Sequence, residues 1–149
     1  AQHMPHAWIM NVTFVALGVT SIWAGWSFYQ GFPFHKVVLT AFGLSLVGAA
    51  IFRHASIDPS LPVNALHDRW HSLFATFTGI SFTLLAIGTA FIVGSPASRS
   101  VAVLMAVVAT ALSAAMFRWP DYMGVFQRAM FISCFGWLLL RFTQSARAN

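Results

Sequence analysis

Five long apolar runs, each ended by turn-forming residues, constrain this chain more than any other feature. They are Ala7–Phe28, Val37–Phe52, Leu73–Val93, Val101–Phe117 and Val125–Leu140, and Arg128 is the one charged residue inside them. Across the chain 58% of residues are hydrophobic and 7% charged, against about 25% charged in an ordinary soluble domain. A surface so poor in charge faces lipid. An unpaired backbone group in hydrocarbon costs several kcal/mol, so a spanning segment must satisfy its own hydrogen bonds as a helix or pair them in a closed barrel. Barrel strands alternate apolar and polar residues in segments of about ten, and these runs are continuous and longer. The expected fold is all-α: a transmembrane helical bundle of about five spans, forming a single domain over residues 1–149.

Roughly 17–25 residues cross the hydrocarbon core as a helix. The second and fourth runs are shorter than that. They reach across with their flanks, where Arg53, Arg118 and, after the last run, Arg141 can extend their guanidinium groups to the interface. Gly31 and Pro33, Pro59 and Pro62, Gly94 to Pro96, and Pro120 mark the connections. Only the second connection, about Arg53 to Ser72, is long, so successive helices should be antiparallel neighbours. Small residues recur every fourth position as Ala41, Ser45, Ala49; Ala75, Gly79, Thr83; and Ala102, Ala106, Thr110, Ala114. Such stripes let helices approach closely in lipid. Trp8, Trp70 and Trp119 lie near predicted span ends, as an interfacial belt requires.

Charge excludes some function classes. Eight basic and three acidic residues, with no Lys/Arg run, do not make a nucleic-acid surface. The single cysteine, Cys134, permits neither an internal disulfide nor a multi-cysteine metal site; in its apolar run it reads as a core residue. The basic residues divide four against four between the two membrane faces, which leaves the positive-inside rule undecided. Arg141 and Arg147 in the tail favour a cytoplasmic C-terminus.

The polar residues are one-sided. His3, His6, Arg53, His54, Asp58, His67, Asp68, Arg69, His71, Arg118, Asp121 and Arg128 all fall on the face opposite the tail, and ionisable groups at membrane depth often carry function. His67 and His71 stand four apart, which on a helix puts both rings on one face. With His54 and Asp58 they could ligate zinc or copper. The sequence around them lacks the glutamate of the HExxH motif, so it names no general base, and interfacial histidines bonded to the loop or to lipid phosphate fit equally. Arg53, Arg69, Arg118 and Arg128, with Asp121 beside them, form a second candidate set: guanidinium groups clamp phosphate bidentately, and lipid headgroups are the nearest phosphates. As anchors they would instead pair with Asp58, Asp68 and Asp121. A haem b is a third reading, held by His54 with His71 or by His6 with His54, although His35 on the other face has no partner histidine. Ala1-Gln2-His3 would bind copper(II) if Ala1 is a free terminus. No nucleophile motif such as GxSxG surrounds Ser56, Ser60 or Ser72, and whether the chain is an enzyme stays open.

Several of these segments together resemble a known family. They are His6-Ala7-Trp8-Ile9-Met10-Asn11 leading into a span with Gly18, the second span ending at Phe52, Asp58-Pro59 in the loop, and His67 before the third span. Gly124-Val125-Phe126-Gln127-Arg128 leading into Gly136-Trp137-Leu138 closes the match. The chain resembles the prokaryotic integral membrane proteins of domain-of-unknown-function family 998. That resemblance implies a six-helix bundle in the inner membrane with both termini cytoplasmic, of which the first helix is absent here; Ala1 would then be internal. It implies no activity. The expected function is a small membrane protein with an extracytoplasmic pocket lined by His54, Asp58, His67 and His71, near Arg53 and Arg128, that binds a metal ion or a lipid headgroup. The alternatives are a non-catalytic subunit of a larger membrane complex and a b-type haem protein. Membrane lipids, and other membrane subunits, are the expected partners.

Overall fold

The computed structural model describes residues 7–54 and 64–148. Five helices follow one another: α1 (Ala7–Phe28), α2 (Pro33–Ile51), α3 (Ala65–Ile92), α4 (Pro96–Arg118) and α5 (Met123–Ala148), with a 3-10 turn at Pro120–Tyr122. All five are long and apolar enough to cross a membrane. The described residues contain no strand.

Helices α2, α3 and α4 extend beyond the apolar runs because polar residues and prolines start them. Pro33 opens α2 and Pro96 opens α4, at the first helical position where a missing N–H costs nothing. Ser95 caps α4, its side chain accepting from the Ser98 N–H. The Asn64 side chain accepts the His67 N–H at 3.1 Å, and Asp68 sits in the first turn of α3, where a carboxylate is favoured by the helix dipole. Residues 65–72, counted with the connection ahead of the apolar run, are therefore two turns of helix, as the His67–His71 spacing argument supposed.

Each helix packs on the next in sequence, and α1 returns to α5 through Phe14–Phe131 and Phe28–Phe142, with ring centroids 5.3 and 5.4 Å apart. The core is built by α2 to α5 around Leu39, Phe42, Leu46, Phe82, Leu85 and Trp137. Small residues set the closest approaches. A Cβ on Gly18 would lie 2.6 Å from the Gly43 carbonyl oxygen, and one on Gly43 would strike the Gly18 carbonyl in turn, so α1 and α2 cross backbone to backbone. On α4 the buried small face is Ala102, Ala106 and Ala109, while Thr110 and Ala114 are exposed. The helix turns its small face at spacings of four and three, so the strict four-residue stripe leaves the contact within two turns. Phe91, Phe117, Ile132 and Leu139 point outward, as lipid contact demands. Hydroxyls along the helices are satisfied locally: buried Thr89 donates to the Leu85 carbonyl at 2.8 Å.

Candidate functional site

At the end of the bundle where α2 meets α3, the last carbonyls of α2 lack partners within their own helix. His71, from the second turn of α3, supplies one. Its Nδ1 lies 2.9 Å from both the Ala49 and the Phe52 carbonyl oxygens. Both partners are acceptors, so Nδ1 carries the proton and donates. The ring is buried and lies against His54, centroids 5.3 Å apart and planes 21° from parallel. His54 in turn places Nδ1 2.5 Å from Asp68 Oδ1. Phe52 wedges beside them, stacked on Trp70 and Phe74 and meeting the edge of His67. Gly48 makes room, since a Cβ there would lie 2.5 Å from the Phe74 ring.

Of the histidine pairings expected from the sequence, the described contacts join His71 to His54. Four-residue spacing puts both rings toward the end of α2, where the His71 ring bonds its carbonyls and the His67 ring meets Phe52. Asp68, expected as an arginine partner, serves His54. Asp58 lies outside the described residues, as do His3 and His6. Among the described residues no three His, Cys, Asp or Glu side chains gather as a metal-ligand set. The stacked His54 and His71 rings do not frame a haem iron, whose two axial nitrogens face each other across the porphyrin.

Arg53 follows α2, Arg69 lies in the second turn of α3, Arg118 ends α4, Asp121 is in the 3-10 turn and Arg128 lies in the second turn of α5. Arg53, Arg118 and Asp121 are exposed. Arg118 lies 5.8 Å over the Trp119 ring. None of the four arginines forms an ion pair among the described residues. The α4–α5 group (Arg118, Asp121, Arg128) shares no hydrogen bond, ion pair or ring contact with the histidines among those residues.

The opposite end holds a feature that residue density along the chain does not mark. The α1–α2 turn, the α3–α4 turn and α5 surround a cavity of about 300 Å³, lined by Phe28, Tyr29, Phe32, Ile92, Val93, Gly94, Ser98 and Arg141. Behind Tyr29, His35 is 3% exposed. It stacks on Tyr29 at 4.7 Å and meets the edges of Phe32 and Phe34. Neither of its ring nitrogens has a hydrogen-bond partner; the Gly88 backbone passes beside Nε2 outside hydrogen-bond geometry. In the sequence His35 has no second histidine to mark it, and Arg141 reads as a lipid anchor. The available signal is the pairing of two short breaker-marked turns, Tyr29 to Pro33 and Gly94 to Ser98, on the side of the bundle where the last helix carries an arginine. A second cavity, inside the core beside Phe42 and Phe82, holds only about 10 Å³, scarcely the space of one water.

No curated protein and no solved structure is detectably similar to the chain. A family does match, over residues 1–143, nearly the whole bundle with both of its polar ends. The chain belongs to that family, described as protein of unknown function DUF998.

Proposed function

We propose that the chain is a lipid-binding membrane bundle whose arginine-rich end holds the phosphates of anionic headgroups. The observation that carries this reading is the set of four guanidinium groups, Arg53, Arg69, Arg118 and Arg128, free of ion pairs among the described residues and flanked by Trp70 and Trp119. Guanidinium groups bind phosphate bidentately, and aromatic belts sit at headgroup depth. On this reading the histidines fasten α2 to α3, and that end faces away from the cytoplasm of a prokaryotic inner membrane. The test replaces all four arginines by glutamine and measures the anionic lipid retained by the purified protein. Lower retention of phosphatidylglycerol than in wild type is the expected result, and equal retention refutes the reading.

One observation favours a second reading. Nδ1 of His54 is held by a carboxylate and Nδ1 of His71 by carbonyls, the outer-shell arrangement that orients histidine toward a metal through Nε2. His54 and His71 would supply two ligands for zinc or copper, with Asp58 and His67 as the remaining sequence candidates. Elemental analysis of protein purified without a histidine tag decides it. Metal near one equivalent that disappears on replacing His54 and His71 supports the site, and metal-free protein sinks it.

A further inference from the structure

We propose that the cavity at the opposite end, between the α1–α2 turn, the start of α4 and Arg141, is a second binding site, for a single phosphate-bearing group. This goes beyond the headgroup contacts of the arginine-rich end and uses none of their residues.

The walls divide by chemistry. Phe28, Phe32, Ile92 and Val93 form an apolar side, and Tyr29, Ser98 and Arg141 a polar one. Arg141 brings a fixed positive charge with planar, forked donors suited to phosphate. Ser98 stands in the first turn of α4, a helix of 23 residues, and helix N-termini favour anions through their free N–H groups and dipole. The local hydrogen bonds leave donors for a ligand. Ser95 Oγ accepts the Ser98 N–H at 3.1 Å and donates its own proton to Ser98 Oγ at 2.8 Å, so the Ser98 hydroxyl proton points elsewhere. Tyr29 is 6% exposed, yet its hydroxyl makes no hydrogen bond among the described residues and is not sealed within the protein. Tyr29 lines the cavity.

Electrostatics act in one direction. Asp68 and Asp121 lie at the other end of the bundle. Among the described residues, neither acidic side chain stands at the Arg141 end. The volume of about 300 Å³ is at the small end of ligand pockets. It suits a phosphate with a short organic body and is too small for a nucleotide cofactor. Such a group can come from the headgroup of a lipid entering sideways or from a small soluble phosphate.

The test uses the full chain purified in a neutral detergent, with inorganic phosphate and short-chain phosphatidic acid as probes and phosphatidylcholine of the same chain length as control. Native mass spectrometry and thermal shift read binding. With Arg53, Arg69, Arg118 and Arg128 replaced by glutamine, which removes the headgroup contacts of the other end, the chain should bind one equivalent saturably and lose affinity as salt rises. Arg141→Gln should weaken binding at least about tenfold, the effect of removing one charge-assisted partner. Ser98→Ala and Tyr29→Phe should weaken it less, and Lys36→Gln, which removes a cation outside the cavity lining, should leave it unchanged. Saturation by phosphate that competes with phosphatidic acid identifies a soluble ligand. Binding of phosphatidic acid alone identifies a lipid headgroup. If Arg141→Gln does not fold, Arg141→Lys and the titration of the four-arginine variant as background decide. The proposal is overturned if that background binds neither probe saturably, or if Arg141→Gln and Lys36→Gln weaken binding equally. Because the four-arginine variant of the other end leaves this cavity intact, failure of one reading does not entail failure of the other.

Discussion

Replacing His71 by Leu tests whether the histidine cluster is chiefly a fastening between helices. Leucine fills similar space on α3 and cannot donate a hydrogen bond. The substitution withdraws the Nδ1 proton from the Ala49 and Phe52 carbonyls, each 2.9 Å away, and removes the ring that His54 stacks on. A buried acceptor left short of a donor costs about 1–3 kcal/mol. The contact with the Phe52 carbonyl is only part-buried and water can replace some of the loss, so about 2 kcal/mol is the reasoned figure. At about 2–4 °C per kcal/mol for a chain of this length, the melting temperature should fall by about 4–8 °C. Thermal unfolding followed by circular dichroism in detergent measures this, and hydrogen exchange should show faster opening localised to the end of α2. His67→Leu is the internal control. Its ring meets only the edge of Phe52, so its effect should be smaller. The drop for His71→Leu should persist in the presence of a chelator, because a hydrogen bond to a carbonyl needs no metal. A change under about 0.5 kcal/mol, the size of an ordinary surface substitution, would refute the reasoning. So would a drop that occurs only when metal is present.

Other consequences are sharper in kind than in size. Gly43→Ala drives a Cβ into the Gly18 carbonyl and to 2.6 Å from Ile22 Cγ1; overpacking of this sort costs about 1–3 kcal/mol, and a melt should show it, whereas Gly136→Ala meets open space and should be neutral or slightly stabilising. Cys134 is buried in the core, so maleimide should label it only after denaturation, and prompt labelling of the native protein would contradict the packing of α5. The side chains of the His54–Asp68 pair are 46% and 33% exposed, so solvent screening should hold its coupling below about 1 kcal/mol in a double-mutant cycle; a larger value would mean that the two residues share a further partner.

The fold is legible in the sequence because lipid imposes one rule along the whole chain. Each apolar run has to be a helix, and each is one. The boundaries are less legible, since hydropathy finds the part of a helix that touches hydrocarbon and misses polar residues that cap it. Asn64 and Asp68 start α3, and the helix begins eight residues before its apolar run at Leu73. Their signal lies in capping chemistry, an acceptor side chain followed by a carboxylate in the first turn. Helix contacts are legible by residue size and blurred by period. Ala102 and Ala106 fall on the predicted stripe, and Ala109 falls off it because a four-residue stripe drifts around a helix of 3.6 residues per turn. The crossing of Gly18 on Gly43 pairs two glycines from different helices, and no spacing within either helix announces it.

The candidate sites are harder to read for a related reason. Counting titratable residues along a sequence finds density, and density points to the histidine-rich end. There the fold uses the most buried of the described histidines at that end on backbone carbonyls and a second one on Asp68, so part of the chemical capacity suggested by the count is spent within the protein. A shared recess is a different property. It arises where short turns and a neighbouring helix leave a gap, and it can collect one arginine, one serine and one tyrosine that sit more than forty residues from one another. In a bundle of consecutive antiparallel helices, turns two helices apart share an end, so the α1–α2 and α3–α4 turns have to meet beside the end of α5. That topological step needs only the order of the spans and the positions of the turns, and it sets Tyr29, Ser98 and Arg141 at one end of the bundle. For bundles of this kind, polar residues are better sorted by which turns they flank than by how many lie on each face.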